Sequence, residues 1–295
     1  MEQQFFNRVG HVELYEGDAE GKQNRIISKI YDVDYKFHIE IPFAAIKHYA
    51  NISILGLNHD TVNQLTTWMN TAEFQEVHKE VRIFAGYEYT GEQMIYDGYI
   101  IHAAPTQPPE MWVNLRTLDG YYFNNKTITY SLNEEMKFKD VCMRAAKILG
   151  IGFAWDAEKN DGSEVIKNFS VTGSEYDFIK KLSDLFTNKY IMYILDSILY
   201  VTDKESNNTP KSSDIEYISA SSGMVGIPQV EYNYIVVKCF INSNIARRKY
   251  IFVESDIIPS CRGLYRILSI NYDGQLRGQE WYMTIKATRI WGAVK

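Results

Sequence analysis

The chain has 295 residues, of which 45% are hydrophobic and 23% charged, and its formal charge is −6. This is the make-up of a globular protein of one to three domains. It is too acidic overall to grip nucleic acid by neutralising phosphates, though an acidic wall would let nucleic acid pass without sticking. No run approaches the ~20 apolar residues of a membrane-spanning helix. Met1-Glu2-Gln3-Gln4 lacks the basic and apolar regions of a secretory signal, so folding in a cytoplasm, with no membrane partner, is expected. Cys142, Cys239 and Cys261 are widely spaced and form no CxxC, which argues against a disulfide scaffold or a zinc ribbon. The 22 tyrosines, 14 phenylalanines and 5 tryptophans suit strands and extended interfaces.

His11 to Tyr15 alternates as a strand does, and Arg25 to Ile30 and Tyr35 to Ile41 predict two more. In the last, Tyr35, Phe37, Ile39 and Ile41 share one face. Ala50 to Gly56 is a strand leading to a helix at about 61–70, with Asn58 or Asp60 as its cap. Val81 to Tyr89 and Gln93 to Ile101 predict a hairpin turning at Thr90-Gly91-Glu92, and Trp112 to Leu118 completes the meander. After Asp119-Gly120 the texture changes. Thr127 to Leu132 is a strand, and Phe138 to Leu149 a helix with Phe138, Val141, Ala145, Ile148 and Leu149 on its apolar side and Gly150 as its stop. Phe169 to Thr172 is extended, Ser174 caps a helix over Glu175 to Leu185 with the stripe Tyr176, Ile179, Leu182 and Leu185, and a hairpin turns at Asp196. Asp203 to Ser213 is polar and reads as a linker. Strands return at Val230 to Tyr232, Ile235 to Ile241, Tyr250 to Glu254, Gly263 to Tyr272 and Glu280 to Ala287, the last two separated by the turn Asp273-Gly274 and nearby Gly278. The expected fold class is mainly β with an α+β insert, as two antiparallel β-barrels (1–119 and 214–295) flanking a small α/β domain (120–213).

No nucleophile elbow, phosphate loop, dinucleotide fingerprint or zinc-protease helix is present. His11, His38, His48, His59, His78 and His102 all precede Asp119, and none pair at the helical i, i+4 spacing, so no metal and no cofactor are expected. Glu134, Glu135 and Asp140 read as complements to a helix N-terminus rather than as a carboxylate pair for glycan cleavage. Arg247-Arg248-Lys249, the one short basic run, reads as a solvated loop, and Trp281 and Trp291 as core or interface anchors. No catalytic residue is assigned.

Three stretches, in order, resemble the baseplate hub proteins of long-tailed phages, the late control protein D-like and Mu-type hubs. The first carries Ala85-Gly86-Tyr87 and a partner strand with Asp97-Gly98-Tyr99-Ile100. The second, from about residue 172 to 202, has Gly173-Ser174 opening a helix followed by two strands around a tight turn. The third has Gly226-Ile227-Pro228 and then Gly263, Tyr265, Ile267, Gly278 and Trp281. The chain departs from the family at Phe240 to Arg248, FINSNIARR, where a Pro and a Gly are usual.

The resemblance implies a structural, non-enzymatic tail protein, a homotrimer whose two barrels per subunit make a pseudo-hexameric ring. Such a ring joins a six-fold tail tube, or a distal tube-initiator protein, to a three-fold central spike. Its channel passes DNA, and a length-control (tape-measure) protein, without specific contacts. Wedge and other baseplate proteins are further implied partners, and the setting is the virion tail, assembled in the bacterial cytoplasm and contractile in kind. The alternatives are the hub of a tailocin or contractile injection particle and, from other classes, a cell-wall-acting enzyme or a host-surface binding module.

Overall fold

A computed structural model describes residues 7–17, 25–31, 33–42, 48–66, 78–119, 127–157, 159–195, 198–204, 215–242, 245 and 250–290. The elements run β1 (Arg8–Gly17), β2 (Arg25–Ile30), β3 (Tyr35–Pro42), β4 (Tyr49–Leu55), α1 (His59–Thr66), β5 (His78–Tyr87), β6 (Gly91–Pro105), β7 (Trp112–Leu118), β8 (Thr127–Leu132), β9 (Met136–Lys137), α2 (Phe138–Leu149), β10 (Gly152–Asp156), β11 (Val165–Ile166), β12 (Phe169–Ser174), α3 (Glu175–Leu185), β13 (Tyr190–Leu195), β14 (Ile198–Asp203), β15 (Ile215–Ile218), β16 (Gln229–Val230), β17 (Ile235–Phe240), β18 (Tyr250–Val253), β19 (Gly263–Gln275) and β20 (Trp281–Arg289). The protein is mainly β, and divides into two compact units. One comprises 1–42, 49–119 and 209–295, the other 43–48 and 120–208.

In the first unit the strands before Asp119 and those after Thr209 do not form separate sheets. They join one sheet in the order β16-β17-β20-β19-β3-β4-β7-β6-β5-β1-β2, with β18 on β19 and β15 on β18. No closed barrel forms among the described residues. The joint is the antiparallel ladder from Ser269↔Pro42 to Gln275↔Lys36. β19 is long enough to serve two neighbours: Gly263–Arg266 pairs with β18, and Ser269–Gln275 with β3. Its register against β20 slips between Ile267 and Ser269, and such a bulge bends a strand and re-aims its edge. The alternation on β3 is as expected, with Tyr35, Phe37, Ile39 and Ile41 buried. Ile52, Ile54, Val113, Leu115, Ile270 and Ile285 line the same core.

Some expectations needed correction. β19 runs through Asp273-Gly274, and the turn falls at 276–279. Gly274 is glycine because a side chain there would lie 2.3 Å from the Phe37 ring, not because it turns. The described part of the first helix is His59–Thr66, capped by Asn58, whose Oδ1 accepts from Thr61 N–H at 2.7 Å. β16 is only Gln229–Val230. β15 lies in a stretch not expected to be a strand, and it pairs with β18 in parallel, so the sheet is not wholly antiparallel. Arg247-Arg248-Lys249, Trp291 and Asp196 lie outside the described residues.

The second unit packs α2 and α3 around Phe138, Val141, Cys142, Phe178, Leu182, Met192 and Val201. β14 pairs antiparallel with β13 and parallel with β10, and β8 pairs with β12. Both helices match their expected spans, and Gly150 ends α2 in the left-handed conformation with φ 70°. Their buried stripes are rotated from those expected. Ile148 and Leu185 are exposed, while Cys142, Ala146 and Phe178 are inside. A stripe that follows 3.6 residues per turn drifts to neighbouring positions along the helix. Asp203 belongs to this unit rather than to a linker: it is buried and accepts from Lys159 N–H at 2.8 Å and Asn160 Nδ2 at 2.7 Å.

Ser174 closes a capping box, accepting from Asp177 N–H at 3.2 Å while Asp177 Oδ2 accepts from Ser174 N–H at 3.0 Å. Ser174→Ala is expected to cost about 1 kcal/mol, read as a lower urea midpoint at unchanged slope.

Candidate functional site

The features that bear on a structural role are those that hold the two strand groups together and those left open to partners. The joint is aromatic. Trp281, 1% exposed, meets Phe37 edge-on at 5.4 Å and Tyr35 at 6.3 Å. Its indole N–H donates to Gly86 O at 3.2 Å, and the Tyr87 hydroxyl donates to Trp281 O at 3.4 Å. Tyr87 also meets Phe240 edge-on at 6.0 Å. Gly86 has no room for a side chain: a Cβ would lie 2.0 Å from Gly91 O across the hairpin. At Gly10 a Cβ would lie 2.3 Å from the Tyr35 hydroxyl, which instead donates to Phe84 O at 3.0 Å. Burial pushes the Tyr35 and Tyr87 phenols well up, so both stay protonated donors at any physiological pH.

Two polar clamps fix the turn between β19 and β20. Arg8 donates to Gly278 O at 2.5 Å and Gln279 O at 2.8 Å, with its guanidinium 5.9 Å from the Trp281 ring centroid. Asp34 accepts from Gln275 Nε2 at 2.6 Å and Arg277 N–H at 3.0 Å. The structure thus brings Ala85, Gly86, Tyr87, Gly278 and Trp281 together. Sequence reasoning did not single out Arg8, Asp34 or Gly10, and read Gly274 only as a turn residue. A lone Arg or Gly carries no signal until its long-range neighbour is known.

The remaining motif positions lie elsewhere. Gly98, buried, faces the Tyr96 ring, and a Cβ there would lie 2.3 Å from its hydroxyl oxygen. Gly263 lies under the Arg289 guanidinium, which donates to Ser260 O at 3.1 Å and Arg262 O at 2.9 Å. Tyr265 donates to Cys261 O at 2.7 Å. Gly226 takes φ +75° just before Pro228, in the segment leading to β16. Gly173 and Ser174 open α3 in the second unit.

The sheet face opposite the apolar core is polar and continuous across the joint. One row follows the pairings Arg116–Asn51–His38–Asp273–Tyr282, and a second follows Glu40–Asn271–Thr284–Lys238. Its lysines rest on aromatic rings, Lys36 on Trp112 at 4.9 Å and Lys238 on Tyr282 at 4.3 Å. His38 joins the two strand groups, with Nδ1 2.5 Å from Asp273 and Nε2 3.0 Å from Glu40. The hydrogen bond to Asp273 is the main cause that raises the His38 pKa above its ordinary value, and the one to Glu40 adds to it. With a raised folded pKa, the imidazolium pairing contributes fully below the unfolded pKa and is lost as pH rises through the folded one. The side chain is 43% exposed, so the stability effect is small. Asp273→Asn is expected to move the His38 NMR titration midpoint down. Among the described residues no group of three His, Cys, Asp or Glu side chains could hold a metal. Glu135 pairs with Lys167 and Glu134 is exposed.

Three ends of the large sheet remain open among the described residues. β2 pairs only with β1, β16 only with β17 and β15 only with β18. Apolar side chains are exposed beside all three: Ile26 and Tyr31 at β2, Ile227, Val230 and Tyr232 at β16, and Tyr217 on β15.

A model of the family described as baseplate hub gp41 matches residues 23–287. No curated protein matches the chain in sequence. In fold it is similar to the 43 kDa tail protein of prophage MuSo2 from Shewanella oneidensis (TM-score 0.58, 9% identity, covering 94% of this chain and 98% of that one). It is likewise similar to a tail protein of Neisseria meningitidis (TM-score 0.59, 9% identity, 98% and 99%). A third similar structure is an E. coli component of the type VI secretion system, itself described as similar to bacteriophage tail proteins (TM-score 0.58, 11% identity, 89% and 74%).

Proposed function

As the chain belongs to the baseplate hub gp41 family, a structural component of the phage virion tail, we propose that it forms a homotrimeric ring. The ring would join the six-fold tail tube to the three-fold central spike and leave a channel for DNA. The observation that carries this reading is the single sheet made from two strand groups, β1–β7 and β15–β20, fused at the β3–β19 ladder. A subunit with two β-rich halves, each read here as a barrel-like hub domain (1–119 and 214–295), offers two contacts to a tube. Three subunits offer six. Closed rotational symmetry supplies the three-fold partner for a spike.

The uncharged and mixed-charge face through Asn51, His38, Asp273 and Thr284 suits the wall of a channel that nucleic acid crosses without binding. Tube-initiator, spike, wedge and length-control proteins are the proposed partners, in a contractile tail assembled in the host cytoplasm. The likeness in fold to a type VI secretion component supports a second setting for the same role, the hub of an injection particle.

The test is native mass spectrometry of the purified 34.2 kDa chain with negative-stain imaging. The expected species has three times the chain mass and a central hole. A monomer that persists at high concentration would overturn the ring.

A further inference from the structure

We infer that β2 is an acid-releasable edge strand, locked onto the sheet by one buried ionic cluster centred on Glu13. β2 pairs only with β1, and among its described side chains Ile30 alone is fully buried, while Ile26 is 46% exposed. Apolar packing therefore gives it little hold. Its polar hold is Lys29, which pairs with Glu13 of β1. Glu13 lies on the face of β1 opposite Val12 and Leu14, yet is only 5% exposed. It also accepts from the Tyr15 hydroxyl and stands 3.3 Å from His11 Nε2. The same row continues through Arg82 of β5, which donates to Asp97 of β6 at 3.0 Å and sits 4.4 Å from the Tyr15 ring centroid. Four neighbouring strands thus carry Lys29, Glu13, Arg82 and Asp97 in alternating sign. At the end of β2 the Tyr31 ring stacks on His11, which in turn stacks on Phe84.

One proton on Glu13 undoes this cluster. Burial pushes the Glu13 carboxyl up, but hydrogen bonds from Lys29, Tyr15 and His11 outweigh burial and hold it below its ordinary value. With a depressed folded pKa, its contribution is present above the unfolded value and lost as pH falls through the folded one. Lys29 from β2 and Arg82 from β5 are then left on either side of a neutral group, beside the His11 ring, and a histidine ring is cationic in acid. Glu92 of β6, 2.9 Å from His11 Nδ1, and Glu80 of β5, 3.8 Å from Arg82, stand on strands across β1 from β2. Like charges on neighbouring strands destabilise their pairing. The strand able to leave is β2, which has a single neighbour. Acid thus changes the edge that this end of the sheet presents, from β2 to β1.

The test is peptide-resolved amide hydrogen exchange of the full-length chain, with rates corrected for the intrinsic effect of pH. Glu13→Gln imitates the protonated carboxyl. At neutral pH it should speed exchange across β2 about tenfold or more, with β6 and β7 unchanged. The wild type should lose β2 protection by the same factor between neutral pH and about pH 3, below the ordinary glutamate value, while β6 and β7 keep theirs. Lys29→Gln removes the cation that acid would expel, at an exposed side chain that the fold can spare. It should flatten the pH response of β2, and this comparison with the wild type decides the matter should Glu13→Gln fail to fold. β2 protection equal in Glu13→Gln and wild type, a loss spread evenly over the first unit, or a pH response that survives in Lys29→Gln would each overturn the acid release.

Discussion

Trp281→Ala is expected to destabilise the first unit by about 3–5 kcal/mol, the range for removing a fully buried large aromatic side chain. Several losses coincide there. The indole leaves a void against Phe37 and Tyr35, Gly86 O loses the indole donor, and Arg8 loses the ring beneath its guanidinium. Because the second unit has a separate core around Phe138 and Phe178, its unfolding should be unaffected. Calorimetry or urea titration followed by probes placed in each unit would show one transition shifted and the other in place. A uniform shift, or none, would contradict the role given to Trp281. Trp281→Phe should recover the packing but not the hydrogen bond, and fall between the two.

Gly86→Val should abolish soluble folded protein, and Gly86→Ala should already cost more than the about 1–3 kcal/mol of ordinary overpacking. The obstacle at Gly86 is backbone, since an added methyl group would sit 2.0 Å from Gly91 O and 2.9 Å from Glu92 Cα, and neither can swing away. Gly173→Ala is the matched control. There the nearest atom is the Asp177 carboxylate oxygen at 2.9 Å, the far end of a side chain that can turn aside, so the loss should be limited to weakening of the α3 cap. Soluble yield and melting temperature compared across the three variants would decide the matter. Equal tolerance of Ala at both glycines would show that the hairpin yields more easily than its geometry implies.

Local structure was largely legible in the sequence. β2, β7, β8, α2 and α3 have the expected bounds, because alternation, a serine cap and a glycine stop are all read within a few residues. What could not be read depends on residues far apart. Gly274 has the signature of a turn, yet its lack of a side chain serves Phe37, which sits on a strand more than two hundred positions earlier. The expectation of two separate barrels followed from the α/β segment dividing the strands. Nothing local to Tyr35–Pro42 or Ser269–Gln275 indicates that they pair. β15 was missed because its four residues, IEYI, are too few to show a period of their own. Of the candidate joint, Trp281 and Ala85-Gly86-Tyr87 stood out through resemblance to a family. Arg8 and Asp34, which hold the turn, had no such mark.

The ladder between β3 and β19 also sets the order in which the protein can mature as it is made. When residues 35–42 leave the ribosome, the strand they must pair with, 269–275, has not been synthesised. Until it appears, β3 carries an unsatisfied edge and the apolar faces of Tyr35 and Phe37 wait for Trp281. Contacts this distant along the chain slow folding and leave the nascent chain open to aggregation. The segment 120–208, whose own core is nearly contiguous in sequence, can condense first. Completion of the first unit then waits until β19 and β20 have been made, so a chain released before them would present no closed joint to its neighbours.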